Sequence, residues 1–352
     1  MKNWVKLGLC GLMVVSLGGC GGGGKSDIDP QEVYGCSTLN VYNWGEYVLS
    51  NFERQYNVKI NYSMFASNEE MYTKLLGGSQ YDVLVPSDYM IERMIDENML
   101  QPLDKSMIPN LANLADGVKG LSYDPDNTYF WGMVGIVYNK NNVDPADVES
   151  QGFDVLRNEK YKGHVFVYDS ERDSFMMAFK ALGYSMNTEN EDEIQAAYEW
   201  LLDMDKKVDP SYVTDEVIDG MVTGEKDIAV VYSGDAAYIL SENEDMAYWL
   251  PEEGTNLWSD AMVIPANAKC PKLANEFINY ILTDDASYDN SSTVGYASSN
   301  KNVLDEMSAA GGEYDGNPAY LPRVGYAKDE VFKHNEILKK KLADLWIKVK
   351  NS

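Results

Sequence analysis

The sequence predicts an α/β protein of two domain-sized units, each with a central, mostly parallel sheet flanked by helices. Three observations carry that expectation. Short strands alternate with helices between residues 39 and 96, the same alternation returns between residues 164 and 282, and 352 residues are enough to bury two cores. Aromatic and branched residues run through the chain, 45% of which is hydrophobic, so disorder is excluded as a description of the whole.

The first strand is read at residues 39–43, where Leu39, Val41 and Asn43 alternate with their neighbours, and a helix follows over 46–56. Residues 58–64 form the second strand. Ser67-Asn68-Glu69-Glu70 then has capping-box spacing, a hydroxyl three residues before a carboxylate, and Gly77-Gly78 closes the helix it opens. Residues 82–86 read as a short buried strand. Ser87 stands at the N-cap of a helix with Met90, Ile91, Met94 and Ile95 on one face. In the second unit, a strand at 164–168 precedes one helix with Phe175, Met176, Phe179 and Leu182 inward, and another with Ile194, Ala197, Tyr198, Leu201 and Leu202 inward. Residues 227–232 and 257–264 read as strands, the latter leading into a helix at 271–282.

The N-terminus sets the compartment. Lys2 and Lys6 precede an apolar run at 7–17 that is too short to span a membrane stably, which is the pattern of a secretory signal. Leu17-Gly18-Gly19-Cys20 resembles a bacterial lipobox, so residues 1–19 are expected to be removed and Cys20 to carry lipid. Four glycines and Lys25-Ser26-Asp27 begin a flexible tether over 20–36 with no apolar face to pack. The expected location is the outer face of a bacterial cytoplasmic membrane. Of four cysteines, Cys36 and Cys270 then remain; an exported compartment permits a disulfide between them, and the spacing does not decide it.

Charge narrows the ligands. With 56 acidic against 29 basic residues the formal net charge is -27, which argues against nucleic acid and for a cationic or neutral partner. Most of that excess serves only to keep the surface solvated. Enzyme chemistry has few candidates. Neither of the two histidines lies in a nucleophile-elbow context: His164 opens a strand and His334 lies on a lysine-rich helical stretch. There is no His-Glu-x-x-His or Cys-x-x-Cys pattern, and Asp124-Pro125-Asp126-Asn127 lacks the remaining calcium ligands and reads as a turn, so neither metal nor cofactor is expected. A hydrolase using two carboxylates stays open as an alternative, since 56 acids supply such pairs by chance.

The segments that follow the strands share a pattern. They read Asn43-Trp44-Gly45-Glu46-Tyr47, Pro86-Ser87-Asp88-Tyr89, Tyr168-Asp169-Ser170-Glu171-Arg172-Asp173, Tyr232-Ser233-Gly234-Asp235, Trp258-Ser259-Asp260 and Gly295-Tyr296. Open α/β sheets bind ligands beyond the carboxyl ends of their strands, and each segment offers an aromatic ring, an acid or both. That suits an organic polycation: ring faces sandwich methylenes and attract ammonium groups, while carboxylates accept the ammonium hydrogens. A chain of about seven methylenes at ~0.8 kcal/mol each would gain on the order of 5 kcal/mol on full burial.

At these residues the chain resembles the spermidine/putrescine-binding proteins, the substrate receptors of polyamine ABC importers. The motifs are Tyr42-Asn43-Trp44-Gly45-Glu46-Tyr47, Ser67-Asn68-Glu69-Glu70-Met71-Tyr72-Thr73-Lys74-Leu75, Tyr81-Asp82-Val83-Leu84-Val85-Pro86-Ser87-Asp88-Tyr89, Leu182-Gly183-Tyr184-Ser185-Met186-Asn187-Thr188, and the run from Trp258-Ser259-Asp260 to Ala268-Lys269. The resemblance implies a periplasmic-binding-protein-like fold of two lobes with the ligand cleft between them. It divides the chain into lobe I at 37–134 plus 260–302 and lobe II at 135–259 plus 303–352. It implies aromatic walls from Trp44, Tyr47, Tyr89, Tyr232, Trp258 and Tyr296, ammonium anchors at Glu46, Asp173 and Asp260, and polar contacts at Ser87 and Ser170. It also implies a monomer that delivers a polyamine to the permease subunits of an ABC importer without chemistry of its own. Gly45 stands where relatives often carry Thr, Tyr232 where they carry Trp, Ser170 at a position that resembles a carboxylate site, and Phe332 where a glutamine contact is expected. A receptor of the same architecture for another ligand, such as a betaine, a metal chelate or a sugar, is the nearer alternative.

Overall fold

A computed structural model describes residues 28–44, 50–121 and 128–352. The signal segment and Cys20, Gly45 with Glu46 and Tyr47, and the turn at 124–127 lie outside the described residues. The strands are β1 (Thr38–Asn43), β2 (Lys59–Met64), β3 (Val83–Leu84), β4 (Leu100–Gln101), β5 (Thr128–Asn139), β6 (Val165–Tyr168), β7 (Ser211–Val213), β8 (Ile228–Tyr232), β9 (Met246–Trp249), β10 (Leu257–Ala261), β11 (Ile264–Pro265) and β12 (Ala297–Ser298).

The fold is α/β and two-lobed. In the first lobe β2, β1 and β3 form a parallel sheet with β1 central, the order expected when helices cross over between strands. The second, larger sheet is mixed. β6 runs parallel to β7 and β8, whereas β5 runs antiparallel to every strand it meets. β5 joins the lobes. Its first half pairs with β10 and β12 and its second half with β8 and β9. Two cores divide along it. Tyr129 to Met133 pack with Leu39, Val41, Leu257 and the helix Pro271–Ile281, while Val134 and Ile136 pack with Val165, Phe175, Leu201 and Trp346.

Local signals account for most elements. Ser67 Oγ accepts the Glu70 amide at 3.1 Å, and the Glu70 carboxylate accepts the Ala66 amide at 2.9 Å, one residue earlier than a closed capping box would use. The helix Glu191–Val208 buries Ile194, Ala197, Leu201, Met204 and Val208 at three- and four-residue steps, with Trp200 beside them and Tyr198 and Leu202 only half-buried. Four expectations need correction. The tether does not run to residue 36, because Asp29 caps the helix Pro30–Tyr34 and Tyr34 and Cys36 pack against the first core. Ile95 is 41% exposed, because the buried stripe of its helix is Met90, Ile91 and Met94. Leu182 is 36% exposed, because the helix Glu171–Ala181 ends before it and releases it from the inward face. His334 precedes the helix Glu336–Val349, which starts where Asn335 accepts the Leu338 amide.

Beneath β1 the buried Asp82 carboxylate accepts four hydrogen bonds, all at 2.9 Å. Asn40 donates its amide and its Nδ2 to Oδ2, and Lys269 and Cys270 donate their amides to Oδ1. Full satisfaction is what makes a buried carboxylate tolerable. Beside it Cys36 and Cys270 form a disulfide with Cα atoms 6.1 Å apart, linking positions 234 residues apart in sequence.

Candidate ligand-binding cleft

The strand-end segments converge between the lobes. Along β10 burial alternates residue by residue, so Leu257, Ser259 and Ala261 point into the protein while Trp258 and Asp260 share the opposite face. Asp260 faces the end of β3. Ser87, placed at an N-cap by sequence, makes no cap bond there; its hydroxyl donates to Asp260 Oδ1 at 2.7 Å. Asn68 locks that hydroxyl and its neighbour, donating from Nδ2 to Ser87 Oγ at 3.1 Å and to Tyr89 Oη at 2.9 Å. Asp88, buried beneath, accepts the amides of Tyr89 at 2.6 Å and Ser259 at 3.3 Å and so ties the two strand ends together.

The second lobe supplies the facing wall. Ser170 caps the helix Glu171–Ala181 by accepting the Asp173 amide at 3.3 Å, which sets Asp173 in the first helical turn. Asp173 is only 6% exposed; its Oδ2 accepts the Tyr232 hydroxyl at 2.8 Å, and its Oδ1 has no hydrogen-bond partner among the described residues. Tyr232 meets Trp258 edge to face with centroids 6.0 Å apart, and Trp258 meets Tyr296 in the same manner at 5.1 Å. Glycine makes this stack possible at two places. A Cβ on Gly132 would lie 2.6 Å from the Trp258 ring, and one on Gly234 would lie 2.4 Å from the Tyr296 ring. Tyr296 donates to Asp235 Oδ1 at 3.1 Å, and the Trp258 indole nitrogen is buried without a partner among the described residues.

Burial dominates the electrostatics. It pushes Asp260 up to about 7 against the opposing Ser87 hydrogen bond, and Asp235 up to about 7 against the Tyr296 hydroxyl, with Asp215 adding repulsion. It raises Asp173 likewise, although the Ser170 and Tyr232 hydroxyls and Arg172 pull the other way. These carboxyls are costly where they stand and would gain from a cation beside them.

Charged groups also join the lobes at the rim. Lys339 pairs with Glu69, Arg93 with Glu336 at 3.1 Å, and the His334 amide donates to Glu92. Arg172 lies deeper, with its guanidinium carbon 3.3 Å from the centre of the Tyr89 ring and 5.9 Å from that of Phe332.

The structure thus brings Ser87, Tyr89, Ser170, Asp173, Tyr232, Trp258, Asp260 and Tyr296 into one connected cluster. Trp44 stands at the end of β1 against Phe65, centroids 4.6 Å apart, in the cluster that also holds Tyr89. Glu46 and Tyr47 are outside the described residues. Sequence reasoning missed three contributors. Asp235 lay within a quoted strand-end segment, Asn68 was read only as part of a helix start, and Arg172 was hidden in an acidic run.

The family model for bacterial extracellular solute-binding proteins matches residues 48–320. The spermidine/putrescine-binding periplasmic protein of Escherichia coli (strain K12) is 36% identical over 277 residues, covering 75% of this chain and 78% of that one. A putrescine-binding periplasmic protein of Pseudomonas aeruginosa (strain UCBPP-PA14) is 34% identical over 274 residues, covering 69% and 73%. Among solved structures, a spermidine/putrescine ABC transporter substrate-binding protein from Streptococcus pneumoniae superposes with a TM-score of 0.77 at 33% identity, covering 90% of this chain and 99% of that one.

Proposed function

Because the chain belongs to the family of bacterial extracellular solute-binding proteins, a class that works outside the cytoplasm, we propose that it captures a polyamine of the spermidine/putrescine class for an ABC importer. The observation that carries this reading is the set of three carboxyls, Asp173, Asp235 and Asp260, around the Tyr232, Trp258 and Tyr296 rings. Among the described residues none of the three is held in an ion pair, and one oxygen of Asp173 has no hydrogen-bond partner. A flexible diammonium or triammonium ion supplies what they lack: charge for the acids, hydrogen-bond donors for their oxygens and methylenes for the rings. Trp44, Glu46, Tyr47, Ser87, Tyr89 and Ser170 complete the proposed wall.

In this reading residues 37–134 with 260–302 form lobe I, and 135–259 with 303–352 form lobe II. Two of the three crossings fall within β5 and β10 and the third within the helix Lys301–Ser308; the cores depart from these bounds at Val134, which packs in the second core, and at Leu257, which packs in the first. The protein acts as a monomer, performs no chemistry on its ligand, and docks on transmembrane permease subunits. Lipid on Cys20 holds it at the membrane surface, a proposal supported by the Leu17-Gly18-Gly19-Cys20 motif and the glycine tether.

Native mass spectrometry of the purified protein tests the ligand class. A retained mass of a small polyamine, or its appearance on adding excess putrescine or spermidine, is the expected result. A retained sugar or anion, or no change in mass with either amine, would overturn it.

A further inference from the structure

The lobes are joined in two physically different ways. β5 runs from one core into the other as a continuous strand, which bends without breaking. At the rim, the chain from His334 to Lys339 reaches across to two helices of the first lobe, Asn68–Leu76 and Asp88–Asp96, through polar groups. The His334 amide donates to the Glu92 carboxylate, Glu336 pairs with Arg93 at 3.1 Å, and Lys339 pairs with Glu69. Each side is fixed in its own lobe. The helix Glu336–Val349 buries Leu342, Trp346 and Val349 in the second core, while the two receiving helices bury Met71, Tyr72, Met90, Ile91 and Met94 beside Tyr42 and Leu84 of the first sheet.

Arg93 is prepared for its partner. Its guanidinium carbon lies 4.0 Å from the centre of the Tyr72 ring and its Nε donates to Glu97 at 3.0 Å, so groups of its own lobe hold Nη1 out toward Glu336. A guanidinium already held in place loses little freedom on pairing. The side chains of Arg93 and Lys339 are 20% and 19% exposed, which screens these pairs less than a fully solvated one.

Separating the lobes breaks all three contacts, and Arg93, Glu336 and Lys339 stand outside the cluster of acids and rings. A contact made in one arrangement and lost in the other shifts the balance between them by its own free energy. Affinity in turn scales with the fraction of protein in the arrangement that encloses the ligand. We propose that residues 334–339 form a clasp that biases the lobes toward closure and so tightens ligand binding without contributing to the ligand's wall. Its effect on affinity rests on the polyamine reading, whereas its effect on shape does not.

The test compares wild type with the double variant Glu336→Gln and Lys339→Gln, which keeps an acceptor for Arg93 and a donor for Glu69 but removes both charges. Lys341→Gln is the control, because Lys341 pairs with Glu191 inside the second lobe. Calorimetric titration with putrescine and spermidine should show the double variant about fivefold weaker for both amines, with the control equal to wild type. X-ray scattering of the ligand-free proteins should give a larger radius of gyration for the double variant alone. An unchanged radius of gyration, affinities within twofold of wild type, or the same losses in Lys341→Gln would overturn the clasp. Should wild type bind neither amine, the polyamine reading falls, and the scattering comparison still decides whether the clasp holds the lobes together.

Discussion

Asp260→Asn should weaken polyamine binding by about 1.5–3 kcal/mol, tenfold to a hundredfold or more in Kd, the range for a charged hydrogen bond in a desolvated site. The substitution is nearly isosteric. An asparagine oxygen can still accept the Ser87 hydroxyl, so the hydrogen bond at 2.7 Å and the junction between β3 and β10 survive while the charge is lost. Burial already pushes this carboxyl up to about 7, so the free protein loses little on its removal and the ligand complex loses its counter-ion. Titration of the variant against the same amines measures the effect. Affinity within twofold of wild type, with the fold intact by circular dichroism, would take Asp260 out of the site.

Removal of the disulfide should have the largest effect on stability. Replacing both Cys36 and Cys270 by Ser frees a loop of 234 residues, for which chain entropy alone gives about 5 kcal/mol and experience with native disulfides about 2–5 kcal/mol. The bond also pins the segment before β1 to the start of the helix Pro271–Ile281, next to the four-fold satisfied Asp82. Thermal unfolding should show the double variant melting well below wild type, with reductant lowering wild type toward it and leaving the variant unmoved. Equal melting temperatures, with or without reductant, would show that the bond contributes nothing.

Much of this was legible in the sequence because it rests on short-range patterns. The alternation in β1, the three- and four-residue steps in the helix Glu191–Val208, and the acid-aromatic pairs at strand ends all depend on neighbours within a few positions. Trp258 and Asp260, two apart on one strand, were bound to share a face. β5 was not read, although it joins the lobes: it is apolar on both faces from Phe130 to Tyr138, so the alternation that marks a half-buried strand is missing. Ser87 shows the opposite failure. Its N-cap signal was correct for position, but a carboxylate 173 residues away takes its hydroxyl. Pairing of Cys36 with Cys270, and the meeting of Arg172 with Tyr89, are long-range facts that no local pattern encodes.

The most direct test of the account is the pH dependence of putrescine affinity. Acids raised by burial favour the protonated folded protein, so Asp260 and Asp235 contribute stability to the free protein below their ordinary values near 4, and it is lost as pH rises through about 7. The complex needs the opposite form. An alkylammonium ligand keeps its charge across this range and pairs with ionised carboxylates, so binding must expel protons at low pH. Calorimetric titration at about pH 8 should give micromolar or tighter affinity, and at about pH 5.5 an affinity at least tenfold weaker with proton release that scales with buffer ionisation heat. Affinity that is absent at both values, or equal at both with no proton release, would contradict a site in which buried carboxylates hold a cation.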